Sequence, residues 1–275
     1  MYKTILLRQN NRKIVKNITV ISGISLILLL FSFTEVNVRD NKIRTIVIDA
    51  GHGGKDSGTS GSFSKEKDIT LSIAMELGKT IEKYIDDVNI IYTRDDDSFP
   101  SLNERANLAN DKNADLFISI HCNSAPYSTT VHGTETYVMG LNKSETNLEV
   151  AKRENSVILM EDDYKENYDG YDPNSPESMI LFSLYQNAYL ENSLKLAQSI
   201  ENQFKTRVGR KSRGVKQAPF VVLWKTSMPS ILVETGFLTN KNEEKYLNDE
   251  LGKTYIAHGI FRAVRDYKLE VESQN

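Results

Sequence analysis

The chain holds one cysteine in 275 residues, Cys122, so no intramolecular disulfide framework is available to it. Its fold stands on a hydrophobic core, helped at most by a metal. Histidine is almost as scarce, with four in all: His52, His121, His132 and His258. Positive charge is short as well. Beyond the five lysines and arginines of the first sixteen residues, 29 basic residues face 37 acidic ones, a net charge of −8. That balance provides no basic face for nucleic acid or anionic lipid. Internal repeats and low-complexity tracts are missing too.

What is present is a globular composition, 39% apolar and 26% charged, behind an unusual N-terminus. Lys3, Arg8, Arg12, Lys13 and Lys16 precede an apolar run from Ile18 to Phe33, with no acidic residue among them. This is a basic segment followed by a hydrophobic one, and no A-x-A-like cleavage site follows. The run falls between a signal-peptide core and a full membrane span. Export is the expectation, with residues 1–36 a signal peptide or signal anchor. An anchor through residues 17–34 would sit in the inner membrane, leaving the remainder in the periplasm or cell envelope.

Apolar, β-branched stretches lie at 44–50 (RTIVIDA), 88–93 (VNIIYT), 115–120 (DLFISI), 134–139 (TETYVM), 220–224 (FVVLW) and 230–236 (SILVETG). Several are continuously apolar, as strands covered on both faces are. Helical patterns separate them. Ile69, Ile73, Leu77, Ile81 and Ile85 recur every four residues, and Pro100 precedes a capping box, Ser101 to Glu104. Alternating strands and helices predict an α/β fold with a mostly parallel sheet. Residues 142–191 break the rhythm: a polar helix-like stretch, a loop rich in turn residues, and a long helix predicted from Glu177 to Val208.

Ligand sites in parallel sheets gather at the carboxyl ends of strands. Three polar residues stand there: His52 after TIVIDAG, His121 after LFISI, and Glu234 near the end of SILVETG. Gly51, Gly53 and Gly54 allow the tight turn that aims His52. Neither a dinucleotide fingerprint nor a P-loop fits these glycines, which leaves a metal as the better use of the loop. Catalytic zinc commonly takes two histidines and a carboxylate and keeps one position open. Glu66, Asp56 and Asp68 compete for the third place, Glu66 with the longest reach. Glu234, inside an apolar strand, is costly unless paired or set beside a metal, where it can move a proton for amide or ester hydrolysis. Cys122 points to the opposite face from His121 and reads as a small core residue. Asn123 is a candidate to orient His121 or substrate; His132 and His258 read as surface residues.

Five stretches in this order, IDAGHGG, KEKDITL, YTRDDD with SLNERANLAN, LFISIHCNS with GTETYVM, and PSILVETGFLTN, resemble the zinc-dependent N-acetylmuramoyl-L-alanine amidases of bacterial cell walls, the amidase_3 family. The resemblance covers residues 44–268. It implies a single catalytic domain over residues 42–270 with a mixed six-stranded sheet and one zinc ion (Zn2+). It implies cleavage of the amide between muramic acid and the first alanine of peptidoglycan. Carried over by position, it places the zinc ligands at His52, Glu66 and His121 and the essential glutamate at Glu234, with Arg105 structural.

Residues 142–191 resemble the helical insertion of the division-associated branch, which plugs the active site until an activator, typically a LytM-type protein, withdraws it. Glu154 is then the candidate inhibitory metal ligand, with Glu161 second. Daughter-cell separation is the role implied. Two other readings remain: a zinc peptidase acting on another peptidoglycan bond, and a catalytically inactive wall-binding homologue.

Overall fold

The structure, a computed structural model, describes residues 42–140, 144–162, 164–168, 170–172, 175, 178 and 188–273. The basic and apolar N-terminal segments lie outside these residues. Within the described residues no helix is long and apolar enough to cross a membrane.

Six strands form one mixed sheet in the order β2-β1-β3-β6-β4-β5. They are β1 (Thr45–Ala50), β2 (Asn89–Tyr92), β3 (Leu116–Asn123), β4 (Thr134–Met139), β5 (Ser212–Ala218) and β6 (Ser230–Phe237). Every pairing is parallel except β4 with β6. The helices are α1 (Glu66–Tyr84), α2 (Leu102–Asp111), α3 (Glu145–Asn155), α4 (Tyr164–Asn167), α5 (Leu190–Gln203), α6 (Val221–Trp224), α7 (Lys241–Asn248) and α8 (Glu250–Glu272).

The period-2 geometry of a strand sends alternate side chains to opposite faces. On β1 and β3, Ile46, Ile48, Ile118, Ile120 and Cys122 join the core shared with α1, α5 and α8, which includes Ile73, Leu77, Ile200 and Ile260. Val47 and Phe117 face the other way, toward α2, α6 and the insertion, where Ala109, Ala151, Tyr168 and Phe220 pack. Both faces are therefore covered, which is why the central strands read as unbroken apolar runs. Truncating one such side chain, Leu77→Ala for example, removes transfer energy and leaves a cavity, a cost of about 2–5 kcal/mol.

The capping box at Ser101 forms as expected: its side chain accepts from the Glu104 amide, and Glu104 returns the bond to the Ser101 amide. Three expectations are corrected. FVVLW is no strand: Val221–Trp224 is one turn of helix, buried through Val221, Val222 and Leu223. Its β-branched composition was outweighed by packing against the insertion side of the sheet. The sixth strand is instead β5, SRGVKQA, a half-buried edge strand whose polar composition gives no core signal. The long helix does not run unbroken from Glu177: its described part opens at Leu190, and Glu177 lies outside the described residues. It does end at Val208, through a π-helical turn, Phe204–Val208. Since Leu196, Ala197 and Ile200 pack into the sheet, α5 belongs to the core.

Candidate metal centre

Parallel register brings the carboxyl ends of β1, β3 and β6 side by side, with Ala50 opposite Ile120 and His121 opposite Glu234. The chain leaves β1 through a turn in which His52 itself takes φ +64°, followed by Gly53 at +129° and Gly54 at +53°. A left-handed histidine is costly and persists only when its surroundings enforce it. Two buried arginines do so. Arg94 donates to the Ala50 and Gly51 carbonyls, and Arg105 to the Ala50 and His52 carbonyls. Arg105 is anchored on buried Asp49 at 2.7 Å. Gly51 is required by crowding, because a Cβ there would lie 2.5 Å from Cε1 and Nε2 of His121.

Glu66 opens α1 yet is fully buried, its carboxylate turned inward away from solvent. It accepts from the Thr59 amide at 2.8 Å and the Cys122 amide at 2.8 Å. From the segment after β4, α3 brings Glu154 down onto the same point. His52 Nε2 stands 3.0 Å from Glu66 Oε1 and 3.2 Å from Glu154 Oε2; His121 Nδ1 stands 3.1 Å and 3.2 Å from the same two atoms.

Of the candidates for a third ligand, only Glu66 reaches this cluster. Asp56 lies behind His52, 2.6 Å from Nδ1, and accepts from the Gly58 amide, so it orients the ring. Asp68 is exposed on α1. Glu161, the second choice for an inhibitory ligand, is elsewhere: it accepts from the Tyr168 hydroxyl and the Leu102 amide. His132 is exposed and His258 half-buried on α8. Asn123 bridges two groups, donating to Glu135 at 3.1 Å and accepting from Arg153 at 2.9 Å. Sequence reasoning missed Arg94 and the orienting role of Asp56; the only sign was their place inside the YTRDDD and GHGGKD stretches.

The four donor atoms of His52, Glu66, His121 and Glu154 all lie within 4.8 Å of one another. Zinc–nitrogen and zinc–oxygen bonds of about 2.0–2.2 Å set tetrahedral ligand atoms about 3.3–3.6 Å apart, and the four histidine–carboxylate spacings of 3.0–3.2 Å come near this. His52 Nε2 and Glu154 Oε2 are buried without a hydrogen-bond partner among the described residues, despite their proximity. A cation between them would satisfy both. The donor set therefore fits zinc.

Electrostatics point the same way. Burial alone would lower the His52 imidazole, but the Glu66 charge and the nearby Asp56 and Glu154 carboxylates lift it well above its ordinary value. His121 rises to about 9, burial again being outweighed by Glu154 and Glu66. Glu66 is held at about 2: burial and the Glu154 charge push it up, but His52 and His121 prevail. These are groups arranged around positive charge.

Glu234 is different. It is fully buried, neither oxygen has a hydrogen-bond partner among the described residues, and its nearest cation is Arg153 Nη2 at 3.9 Å. Burial first, then repulsion from Glu154, raises its carboxyl well above the usual range. Such a buried, unpartnered carboxyl beside the ligand cluster makes Glu234 the candidate proton carrier of the site.

The N-acetylmuramoyl-L-alanine amidase family matches residues 46–266. Amidase AmiA of Escherichia coli K12 is 34% identical over 229 residues, covering 82% of this chain and 76% of that protein. A solved N-acetylmuramoyl-L-alanine amidase of Clostridium difficile 630 superposes with a TM-score of 0.62 at 30% identity, over 82% of this chain and 97% of that one. The CwlD amidase of Clostridioides difficile, solved in complex with the GerS lipoprotein, gives a TM-score of 0.60 at 26% identity, over 83% of this chain and 99% of that one. The chain belongs to the N-acetylmuramoyl-L-alanine amidase family and is an enzyme of that class.

Proposed function

We propose that this protein is a zinc-dependent peptidoglycan amidase, held inactive by its own insertion and released for daughter-cell separation. The observation that carries the reading is the convergence of four donor atoms beside an unpartnered buried glutamate. His52, Glu66 and His121 would hold the ion, and Glu154 would take the position substrate needs. Zinc so held supplies Lewis acidity toward water and a carbonyl oxygen. Glu234 takes the proton of the attacking water and delivers it to the alanine nitrogen as the amide breaks. Asp56 keeps the His52 ring in place, and Arg94 and Arg105 keep its loop rigid.

Autoinhibition rests on α3 as a lid. Its Arg153 contacts Glu154 at 3.0 Å and Asn123 at 2.9 Å, so two adjacent residues cover the ligand cluster and approach Glu234 together. Asn155 fastens the end of the lid, donating to the Tyr171 hydroxyl and the Pro219 carbonyl and accepting from the Val221 amide. Residues 142–191 are accordingly read as the regulatory insertion within a catalytic domain of 42–270, and a LytM-type protein as the activator that withdraws it. Export through residues 1–36 is consistent with a cell-wall substrate.

The test is product analysis. The zinc-loaded full chain is incubated with purified peptidoglycan, and soluble material is searched by mass spectrometry for peptides with a free N-terminal alanine. Glu154→Ala is expected to release them, wild type to release few, and Glu234→Gln none. Release of products cut elsewhere in the peptide would assign a zinc peptidase; binding without any new chemical end would assign an inactive wall-binding protein.

A further inference from the structure

Beside Glu234 lies a cleft of about 460 Å³ walled on one side by α3. The antiparallel pairing of β4 and β6 places Glu135 directly opposite Glu234, so both side chains rise from the same face of the sheet. Glu135 is buried and its acceptors are well used: Arg213 Nε and Lys216 Nζ each reach Oε1 at 2.6 Å, while Tyr137 and Asn123 donate to Oε2. Burial would raise this carboxyl, but the two cations and Tyr137 hold it below its ordinary value.

Arg213 and Lys216 are three apart on β5, and on a regular strand such residues point to opposite faces. They share one carboxylate because the strand is bulged. Thr134 pairs with Ser212 and Thr136 with Val215, so one extra residue is accommodated where Gly214 takes φ +87°. Bulges of this kind re-aim side chains beside active sites. Each cation also lies over an aromatic ring, Arg213 over Phe237 at 5.3 Å and Lys216 over Tyr137 at 5.7 Å. Their directions are therefore fixed although their ends remain partly exposed. Glu135 uses only Nε of Arg213 and one bond from Lys216. Among the described residues no other hydrogen bond engages the guanidinium's outer N–H groups or the rest of the ammonium, which face the cleft surface where a second anion could sit.

We infer that Arg213 and Lys216 form a subsite for a free carboxylate on the peptide that follows the muramoyl-alanine amide. This deepens the amidase reading and rests on it. The subsite neighbours the cutting site through Asn123, which touches both Glu135 and the lid residue Arg153. The same lid that covers the ligand cluster narrows this cleft, so substrate engagement and lid withdrawal involve one wall.

The test compares two N-acetylmuramoyl-L-alanyl-D-glutamate ligands, both blocked at the γ-carboxyl as methylamides. One carries a free α-carboxylate and the other an α-amide. Each is titrated calorimetrically into the zinc-loaded full chain carrying Glu154→Ala, which frees the position substrate needs, and Glu234→Gln, which prevents turnover during the measurement. The carboxylate ligand is expected to bind about tenfold more tightly, as a charge-assisted contact implies. In that same Glu154→Ala, Glu234→Gln chain, adding Arg213→Gln or Lys216→Gln should erase most of this preference while changing affinity for the amide less than twofold. Adding Lys216→Arg should retain it. Each single variant leaves one cation on Glu135, so the fold is kept.

Equal affinity for both ligands, a preference that survives both variants, or no binding of either ligand with zinc bound would overturn the subsite. Failure of the amidase reading would appear separately, as no alanine-terminated peptide from wild type or Glu154→Ala, with the titration still readable.

Discussion

His52 Nε2 and Glu154 Oε2 lie 3.2 Å apart, one on a turn leaving the sheet and the other on a helix about a hundred residues later, both buried and neither with a hydrogen-bond partner among the described residues. Two such buried atoms need positive charge between them, a proton on the imidazole or a metal cation. Helix α3 thus meets the turn after β1 through this cluster as well as through packing.

Removing the metal should loosen the whole domain. A ligand present at about a hundred times its dissociation constant stabilises the fold by about 2.7 kcal/mol. Exhaustive chelation is expected to lower the thermal midpoint by several degrees, with one equivalent of zinc restoring it. A calorimetric scan against zinc content checks this; no change in midpoint on removal of bound zinc would contradict it.

Glu154→Ala is expected to raise peptide release from peptidoglycan at least tenfold over wild type. Glu161→Ala should raise it less, because Glu161 only anchors the insertion to Tyr168 and the start of α2. Initial rates of soluble peptide formation distinguish the two; equal rates for Glu154→Ala and wild type would remove the inhibitory role.

Asp56 and Gly51 act on the metal through the histidines. Asp56→Asn weakens the hold on His52 Nδ1 and is expected to reduce zinc affinity about 10–100-fold. Gly51→Ala drives a methyl into the His121 ring and should reduce it on the order of tenfold or more for a steric reason. Competition with a chromogenic chelator measures both, with circular dichroism confirming that the fold survives.

How much of this was legible beforehand follows from which forces leave a local mark. The central strands and α1 announce themselves because Ile46, Ile48, Ile118 and the row from Ile69 to Ile81 meet a sheet covered on both sides. Strand β5 could not, since its residues pair at an edge and earn their place through hydrogen bonding and Glu135. FVVLW misled because β-branched residues also fill a single buried helical turn. At the site, His52, His121 and Glu234 were visible as polar residues ending apolar strands, whereas Glu66 was separable from Asp56 and Asp68 only through the family resemblance. The contacts of Arg94 and Arg213 depend on segments far apart in the chain, and no local pattern records them; Asp56 reaches His52 over only four residues, but its orienting role depends on the turned conformation of the glycine loop.

Asp49 and Arg105 predict an acid sensitivity. Burial would raise the Asp49 carboxyl, but Arg105 and the hydroxyls of Ser119 and Thr93 outweigh it and hold the group below its ordinary value. A lowered carboxylate stabilises the fold fully above the unfolded value, about pH 4, and that contribution is lost as pH falls through the folded one. Urea midpoints should therefore drop below about pH 4. Arg105→Ala, which strands a buried carboxylate, should cost about 3–5 kcal/mol at pH 7. An unfolding curve for Arg105→Ala that overlays wild type at neutral pH would contradict this.

The most direct measurement of the central claim is anomalous diffraction at the zinc edge from crystals of the wild-type protein. One peak is expected, bonded by His52 Nε2, Glu66 Oε1, His121 Nδ1 and Glu154 Oε2. A zinc ion bound elsewhere, no peak in the presence of excess zinc, or a peak with the Glu154 carboxylate turned away would contradict the account.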